Sequence, residues 1–594
     1  MRVFVWLFFI LFFVESYANH CEEIDSIFLN VTSETGHVPA CRCYLNQHSS
    51  LLEAIKEVRL GDESFIWIGC SGQNMPSVFR ALNSLNETFV SRLFIWDSLI
   101  NILPTDMFSK VFPRSLIVES SSVSVFRKGA FSKIGNYLKE LKLSKNIVKS
   151  IDATMFEGIS ELTSLDVSDN KISTLSAHCF DTLSKLESLS LSGNHLAEIP
   201  DSTFKGLTSL KSLDLSNNKL KHIGRDSFHG LQKLEVLTLH SNNLDDIHPL
   251  AFEELINLKV LDLGNNTLAK IEIKNMPKLR RFLLNNNSIE SLEDVFMKDL
   301  PSLEIVSFDH NSIKSIGKDD FQGLISSNRL SSLSLARNHI TLVNGDAFAS
   351  LDSLNTLSLQ NNQLTNLTDP TTPGQPPYLR PLSSLRNLFL SHNQLQQVNK
   401  ELHGLIGLKV LALDHNQIYK IEPEAFKDLP IQKLFLESNK LYYLPEKIFD
   451  SFNKEKLQAI DVSNNSWICI WDREWLGNWL QSIGDANLGD LACLSRQNKE
   501  EKEDYVGGDG ETESSSWMIY LASLLSVVTI ISLAAIGYLL VQENRRNRLL
   551  FNKLRRVPSD MVRLIPENLS FPTQWSLYSA TIAPSLEALH RRQL

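Results

Sequence analysis

The sequence lacks the side-chain groupings on which catalysis and metal binding depend. No Ser/His/Asp, Cys/His or paired-carboxylate arrangement stands apart from the polar residues scattered through its 594 positions, so an enzyme is not expected. Its seven cysteines and fifteen histidines do not follow the spacing of zinc ligands. We therefore expect no catalytic residue, no cofactor and no metal site.

Basic residues are outnumbered by acidic ones over most of the chain. The formal net charge is −10, yet residues 542–594 hold nine Lys or Arg against four acids, so the remainder is distinctly acidic. A nucleic-acid-binding surface needs clustered basic side chains, and no such stretch stands out before residue 542. We set nucleic acid aside as a partner.

Two hydrophobic segments predict export and a membrane anchor. Residues 1–18 have a basic start, an apolar run and small residues before a cleavage point after Ala18, as in a secretory signal peptide. The uncharged segment 517–541 is long enough to cross a bilayer. An acidic stalk, residues 498–516, precedes it, and arginines open the tail 542–594. The positive-inside rule then predicts a single-pass type I plasma-membrane protein with an extracellular N-terminus and a cytoplasmic tail.

One motif, L-x-x-L-x-L-x-x-N-x-L, recurs through residues 90–456 and into the segment that follows. Leu210, Leu213, Leu215, Asn218 and Leu220 show it clearly, and most steps are twenty-four residues. Alternation around the second leucine predicts a short strand, and the remaining residues return the chain to the next repeat. Repeats start at Leu138, Leu162, Leu186, Leu210, Leu234, Leu258, Leu279, Leu303, Leu330, Leu354, Leu385, Leu408, Ile431 and Leu457.

A single repeat cannot bury its leucines, so the repeats must stack. We predict an α/β solenoid with a parallel sheet on its inner face, beginning with two degenerate repeats between Val90 and Leu116. The motif asparagine is present in all fourteen repeats, from Asn146 to Asn465, and is expected to satisfy backbone groups where the strand ends. A phenylalanine column that includes Phe296 is expected to form an aromatic spine in the core.

These repeats resemble the twenty-four-residue type of extracellular leucine-rich-repeat proteins. That class includes soluble matrix proteins, adhesion receptors of the capricious and chaoptin type, and Toll-like receptor ectodomains. The resemblance covers about residues 20 to 495 and implies a horseshoe with cysteine-rich caps at both ends. It is specific for fold and says little about function.

Residues 19–89 are expected to form the N-terminal cap. The family resemblance implies a Cys21 to Cys43 and a Cys41 to Cys70 disulfide, although four cysteines allow three pairings. Residues 457–497 resemble the C-terminal cap, but Trp471 stands at the place of the second cysteine of its Cys-x-Cys pair. A single Cys469 to Cys493 bridge is therefore expected.

One cysteine and six glycosylation motifs remain in the part of the chain that is expected to be exported. Cys179 directly precedes a spine phenylalanine and is read either as a buried free thiol or as half of an intermolecular disulfide. Glycans on the neighbouring repeats of Asn265 and Asn286 would cover that section of the inner face. The acceptor motif N-x-S/T occurs at Asn30, Asn86, Asn265, Asn286, Asn366 and Asn464.

Inner-face residues decide which partner a solenoid of this kind binds. In the early repeats they are small or acidic, whereas the repeats starting at Leu385, Leu408 and Ile431 offer aromatic residues beside Arg and His. Such residues anchor protein interfaces, although ordinary surface variation is the alternative. The candidate partner-binding residues are Arg386, Phe389, His392, Asp414, His415 and Phe435.

The proline-rich interval from Thr368 to Leu382 lengthens one repeat to thirty-one residues. Because proline cannot supply regular backbone donors, we expect this interval to leave the solenoid as a loop. It is either a contact loop or a tolerated insertion.

These features predict a cell-surface protein that binds an extracellular protein ligand or a neighbouring cell-surface protein, as an adhesion molecule or receptor. The alternative is an innate-immune co-receptor or decoy of the Toll-like type, because the tail is shorter than the Toll-family signalling domain. Binding to microbial products separates the two hypotheses. A homodimer is a further hypothesis, which the repeat pattern neither favours nor excludes.

Overall fold

The structure is a computed structural model that describes residues 20–31, 39–45, 66–371, 374, 376–467, 475 and 479. The expected signal peptide, the acidic stalk, the 517–541 segment, the tail and the Cys469 to Cys493 bridge lie outside these residues. Among the residues that it describes, no helix has the length and apolar character needed to span a membrane.

A continuous sheet of 18 strands forms the inner face of the described solenoid. In a typical repeat the second motif leucine is buried while its two strand neighbours are more exposed, as with Leu213 between Ser212 and Asp214. This is the alternation that a strand imposes on its side chains. In chain order the strands are Cys41–Leu45, Ile66–Ser71, Thr88–Trp96, Val111–Glu119, Glu140–Lys142, Ser164–Asp166, Ser188–Ser190, Ser212–Asp214, Val236–Thr238, Val260–Asp262, Arg281–Leu283, Ile305–Ser307, Ser332–Ser334, Thr356–Ser358, Asn387–Phe389, Val410–Ala412, Lys433–Phe435 and Ala459–Asp461.

Register repeats from strand to strand. Leu189 pairs with Leu213, and Leu213 pairs with Leu237, so equivalent positions of successive repeats line up across the sheet. The strands Thr88–Trp96 and Val111–Glu119 pair in the same parallel way, which places the two degenerate repeats inside the solenoid. Cys41–Leu45 is antiparallel to Ile66–Ser71 and ends the sheet.

The outer side of the solenoid is built mostly from turns, with short parallel strand pairs and few helices. Residues 20–31 are helical, as is Met75–Asn83, where the Asn74 side chain accepts a hydrogen bond from the Ser77 amide and caps the helix. Short 3₁₀ helices cover Leu292–Asp294 and Gln322–Leu324. The outer pairs are Ile102–Leu103 with Val125–Phe126, Ser150–Ile151 with Thr174–Leu175, His222–Ile223 with Asp246–Ile247, Ile271–Lys274 with Val295–Lys298, Ser315–Ile316 with Leu342–Val343, and Gln397–Val398 with Lys420–Ile421.

The motif asparagines join each repeat to the one before it. The Asn218 side-chain amide donates to the carbonyl of Leu191 in the preceding repeat at 3.0 Å and to that of Leu215 in its own repeat at 3.1 Å. Its oxygen accepts from the Leu196 amide at 3.0 Å. Equivalent bonds recur from Asn146 to Asn465. The asparagine column is therefore architectural, because it pairs backbone groups that would otherwise be buried without partners.

The phenylalanine spine is present but does not include Phe296. Phe156, Phe180 and Phe204 stack in series with ring centroids 5.9 and 6.1 Å apart. Phe296 lies on the outer strand Val295–Lys298, whose alternation buries Val295 and leaves the Phe296 side chain 48% exposed. The expected place of Phe296 in the core is therefore wrong, because this stretch forms a strand and its residues alternate between inside and outside.

Both ends of the described solenoid are closed by particular side chains. Cys21 is bonded to Cys43 and Cys41 to Cys70, which are the two pairings that the family resemblance implies. At the other end, Trp475 and Trp479 pack against the core, and the Trp479 ring lies 4.7 Å from that of Phe449. Closure of this kind is required because a solenoid exposes apolar core at its terminal repeats.

Cys179 is the free cysteine among the described residues, and it is buried. Burial raises the pKa of its thiol to about 12, so the thiol stays protonated at neutral pH and is a poor nucleophile. These features fit the buried-thiol interpretation of Cys179 rather than an intermolecular disulfide.

The proline-rich interval does not leave the solenoid along its whole length. Tyr378 is 1% exposed, and its ring meets that of Phe348 edge to face at 6.1 Å, so it extends the aromatic spine. Leu379 and Leu382 are also buried. The expectation of a loop to Leu382 is wrong for these residues, because the tyrosine supplies the large apolar side chain that the phenylalanine column otherwise provides.

Candidate functional site

The inner face changes character along the solenoid. We number repeat positions from the first motif leucine, so that positions 3 and 5 flank the buried strand leucine. Position 5 is Ser190 or Asp214 in early repeats and Ser307, Ser334 and Ser358 in later ones. The following three repeats place Phe389, Ala412 and Phe435 there, and Asp461 comes next.

Phe389 and Phe435 lie two strands apart at the same height of the sheet. Phe389 pairs with Ala412, and Ala412 pairs with Phe435. Both phenylalanines are half-buried, whereas Ala412 is only 5% exposed. Two aromatic side chains therefore flank a small residue and form a local apolar surface on this part of the inner face.

His392, Asp414 and His415 meet beside these strands, at positions 7 and 8 of two adjacent repeats. The two imidazole rings stack with centroids 4.2 Å apart and planes inclined by 23°. The Ser391 hydroxyl donates to Asp414 Oδ1 at 2.5 Å, and His415 Nδ1 lies 3.1 Å from Asp414 Oδ2. Burial and the neighbouring His415 lower the pKa of His392, so its ring is neutral at neutral pH.

The six candidate residues fall into three groups. Arg386 is exposed before the strand Asn387–Phe389, at the opposite end from His392. Asp414 is only 5% exposed, so its carboxylate supports the histidines and offers little surface to a large partner. The structure brings together the two phenylalanines and, separately, the histidine–aspartate cluster. It does not bring Arg386 next to that cluster.

Position 8 of each repeat has the same backbone conformation. His392 and His415 have φ values of 56° and 53°, and Asn265, Asn286 and Asn464 have values of 54°, 55° and 50°. This left-handed conformation is uncommon outside glycine, and asparagine and histidine adopt it more readily than most residues. Position 8 therefore presents exposed side chains in a row along one edge of the sheet.

The glycosylation motifs are all on the surface. Asn30, Asn86, Asn265, Asn286, Asn366 and Asn464 have exposed side chains. Asn286 donates a hydrogen bond to Asn265, and Asn265 donates to Ser241 at 2.7 Å. A glycan on either of these two asparagines would replace one of the two hydrogens on an Nδ2 that donates within this row.

An aromatic surface at the N-terminal end of the inner face was missed at the sequence level. Tyr44 and Trp67 stack with ring centroids 4.3 Å apart, and Phe94 and Trp96 lie 4.6 Å apart. Gly69 lies beneath these rings, and an added Cβ would come within 2.8 Å of Trp67 and 3.1 Å of Trp96. The alternation Ile66, Trp67, Ile68, Gly69 was the available signal, since it puts tryptophan and glycine on the open face.

Comparisons with known proteins identify the repeats. The leucine-rich repeat family model matches residues 136–196, 184–244, 232–287, 277–330 and 383–441. The P-granule-associated novel protein 1 of Caenorhabditis elegans is 50% identical over 506 residues, which cover 84% of this chain and 84% of that protein. The match includes most of the solenoid, and identity at this level indicates common descent.

Solved structures share the fold at low sequence identity. The Toll–Spatzle complex of Drosophila contains a chain that is 21% identical with a TM-score of 0.54, over 67% of this chain and 53% of that chain. This chain therefore spans about half the length of that structure. A leucine-rich-repeat protein of Leptospira interrogans is 25% identical with a TM-score of 0.48, over 61% of this chain and 89% of that one. The Drosophila match shows the solenoid fold alone.

Proposed function

This chain belongs to the leucine-rich repeat family, together with the P-granule-associated novel protein 1 of Caenorhabditis elegans, and we propose that it binds an extracellular protein partner at the cell surface. Leucine-rich-repeat solenoids are typically scaffolds for protein interaction. The inner face offers a broad, regular surface whose exposed positions vary from repeat to repeat while the leucines stay fixed.

The observation that carries this proposal is the pair of phenylalanines on the inner face. Phe389 and Phe435 follow three repeats that carry serine at the same position, and Asp461 follows them. Partly exposed aromatic side chains on a rigid sheet bury large apolar area on binding and lose little conformational entropy. Arg386 and Asn387 beside them supply polar groups of the kind found at the rim of an interface.

Location at the cell surface is supported by the chemistry of the N-terminal cap and by the sequence. The Cys21 to Cys43 and Cys41 to Cys70 disulfides are of a kind that persists in oxidising compartments. The signal-like residues 1–18 and the apolar segment 517–541 fit export and anchoring in a single-pass arrangement. The full-length protein with a C-terminal tag tests this topology. Surface biotinylation of intact cells should label it, while the tag should react with antibody only after permeabilisation.

The binding proposal is tested with a substitution at each end of the phenylalanine pair. Cells displaying the full-length protein are screened against a library of secreted and cell-surface proteins. The double variant Phe389→Ala and Phe435→Ala should weaken binding of the captured partner by at least tenfold, or about 1.4 kcal/mol. Phe296→Ala is the matched control, because it removes an equally aromatic, 48% exposed side chain from the outer surface. Equal binding by the double variant and the wild type would refute this site.

Two other roles have support of their own. An innate-immune co-receptor or decoy is favoured by the likeness in fold to Toll and predicts binding to microbial products rather than to a host protein. Association with P granules is favoured because this chain is 50% identical to the P-granule-associated novel protein 1. A tagged chain that colocalises with P granules and resists surface biotinylation would support the latter and contradict the cell-surface proposal.

A further inference from the structure

The histidine–aspartate cluster beside the phenylalanine pair has the composition of a metal site. The ligand-type atoms of His392, Asp414 and His415 all lie within 4.8 Å of one another. Two imidazoles and one carboxylate match the donors that zinc takes in sites with three protein ligands. Sequence spacing did not reveal this site, because the two histidines are twenty-three residues apart and meet only through stacking of the repeats.

The repeat geometry explains why the three groups converge. Phe389 pairs directly with Ala412, so positions 7 and 8 of the two repeats also lie side by side. His392 and His415 share the left-handed backbone conformation, with φ values of 56° and 53°. The same conformation at the same position projects both imidazoles from one edge of the sheet. Both side chains are exposed, so their rings are accessible to an ion.

Asp414 is held in an orientation suited to a ligand. The Ser391 hydroxyl binds its Oδ1, and its Oδ2 lies 3.1 Å from His415 Nδ1. Ligand atoms around a tetrahedral zinc ion with bonds of about 2.0 Å lie about 3.3 Å apart, so this pair of atoms is already close to the required spacing. A hydroxyl that fixes a ligating carboxylate is a common supporting interaction at metal sites.

We propose that His392, Asp414 and His415 bind a divalent transition-metal ion, with zinc as the ion best matched to the donors. Binding requires the exposed rings to turn about their Cβ–Cγ bonds, so that donors now within 4.8 Å of one another reach the closer spacing around an ion. With three protein ligands, a fourth position faces solvent and takes water or a side chain from a bound protein. Calcium and magnesium prefer sites made of oxygen ligands and are disfavoured here.

The charges around the cluster are compatible with an ion. Asp414 supplies a negative charge within reach of both imidazoles, and a carboxylate beside two imidazoles favours a cation electrostatically. The positive charge of Arg337 also acts on His392. Arg337 lies two repeats away, so its repulsion of a bound ion is weak. The metal proposal is independent of the proposed partner, since zinc alone tests it.

The test is titration of the purified full-length protein, first stripped with a chelator, with zinc chloride in competition with a chromophoric chelator. His392→Ala and His415→Ala should each lose one zinc equivalent or weaken its binding at least tenfold. Asp414→Asn should weaken it while keeping the hydrogen bond from Ser391. His310→Ala is the matched control, because His310 follows an aspartate at the same repeat position but faces Arg337 in the next repeat.

Cobalt(II) gives a second readout, since a tetrahedral site with nitrogen and oxygen ligands produces visible absorption bands that His392→Ala should remove. Circular dichroism at equal concentration checks that each variant is folded. Zinc stoichiometry and affinity that are unchanged in both His392→Ala and His415→Ala would overturn the proposal. Failure of the wild-type protein to bind zinc at 100 micromolar, roughly the weak end of specific sites, would overturn it as well.

Discussion

The dipeptide Asp-His occurs twice at positions 7 and 8 of the solenoid, and its two copies have different surroundings. Asp309 and His310 belong to the repeat that starts at Leu303, and Asp414 and His415 to the repeat that starts at Leu408. All four residues have the same places relative to their strands. The two copies differ in the contacts that they make with the neighbouring repeats and, within their own repeats, in Ser307 before Asp309 where Ala412 precedes Asp414.

The first copy joins repeats together. Asp309 Oδ1 accepts from the Ser334 hydroxyl at 2.5 Å and from the Ala336 amide at 2.8 Å, both in the following repeat. Burial raises the pKa of this carboxyl. His310 Nε2 lies 3.1 Å from a guanidinium nitrogen of Arg337. The positive charge of Arg337 therefore repels a metal ion beside His310.

The second copy faces the preceding repeat instead. Asp414 accepts from Ser391, and His392 of the same preceding repeat stacks on His415, whereas His310 contacts Arg337 of the following repeat. Different side chains in the adjacent repeats therefore make the same dipeptide a structural contact in one place and part of a set of metal-type donors in the other. In a solenoid, the function of a residue depends on what the adjacent repeats place beside it.

The largest expected effect is on the stability that Asp309 contributes in the first copy. Asp309→Ala leaves the Ser334 hydroxyl and the Ala336 amide buried without their acceptor, and should lower the free energy of unfolding by about 2 kcal/mol. Asp414→Ala removes the bond from the Ser391 hydroxyl and the contact with the exposed His415 ring, and should cost about 1 kcal/mol. Urea denaturation followed by circular dichroism measures both. Asp309→Asn is the control, because it keeps an acceptor oxygen for both donors. An equal loss of unfolding free energy in Asp309→Ala and Asp414→Ala would contradict the proposed difference between the two copies.

Replacement of His392 by arginine should give His415 a neighbouring cation, as His310 has in Arg337. Arg337 adopts a φ of 55° at position 8, so His392→Arg is compatible with the backbone there. It removes one imidazole and adds a positive charge, and zinc affinity should fall at least tenfold, or about 1.4 kcal/mol. The same substitution at His310 should leave zinc affinity unchanged. Competition with a chromophoric chelator gives the zinc affinity of each variant. Zinc affinity that is unchanged in His392→Arg would contradict the role of His392 as a ligand.

The smallest expected effect is a shared dependence on pH. Burial lowers the pKa of both His310 and His392, with Arg337 and His415 as the next contributors. The unfolded chain therefore binds more protons than the folded protein below about pH 6.5, and stability falls as the pH is lowered through that interval. His310→Gln and His392→Gln should each reduce the fall in Tm between pH 7.5 and 5, measured without zinc. The effect on Tm is small because both rings are partly exposed. A dependence of Tm on pH that is the same in both variants as in the wild type would contradict this prediction.

Much of the fold was predictable because it depends on residues that recur at a fixed spacing. The strand leucines, the asparagine column and the parallel register all follow from the L-x-x-L-x-L-x-x-N-x-L motif, as Leu213 and Asn218 illustrate. Phe296 and Tyr378 departed from expectation. In both cases a local change in the outer part of a repeat decided which side chain reaches the core.

The candidate site was predictable only in part. The sequence indicated the repeats that carry Phe389 and Phe435, since the three repeats before them carry serine at the same position. It did not indicate that Arg386 stands apart from His392, that Asp414 is buried, or that Tyr44, Trp67 and Trp96 gather over Gly69. Those relations depend on side-chain contacts between repeats, which a motif does not specify.

The sequence by itself determined that this protein is a leucine-rich-repeat solenoid, because one apolar period repeated fourteen times has no other way to bury its leucines. Only the tertiary structure decided that His392, Asp414 and His415 converge at one edge of the sheet. The physical reason is that repeat stacking places position 8 of one repeat beside position 8 of the next. Residues more than twenty positions apart in the chain thereby become neighbours in space.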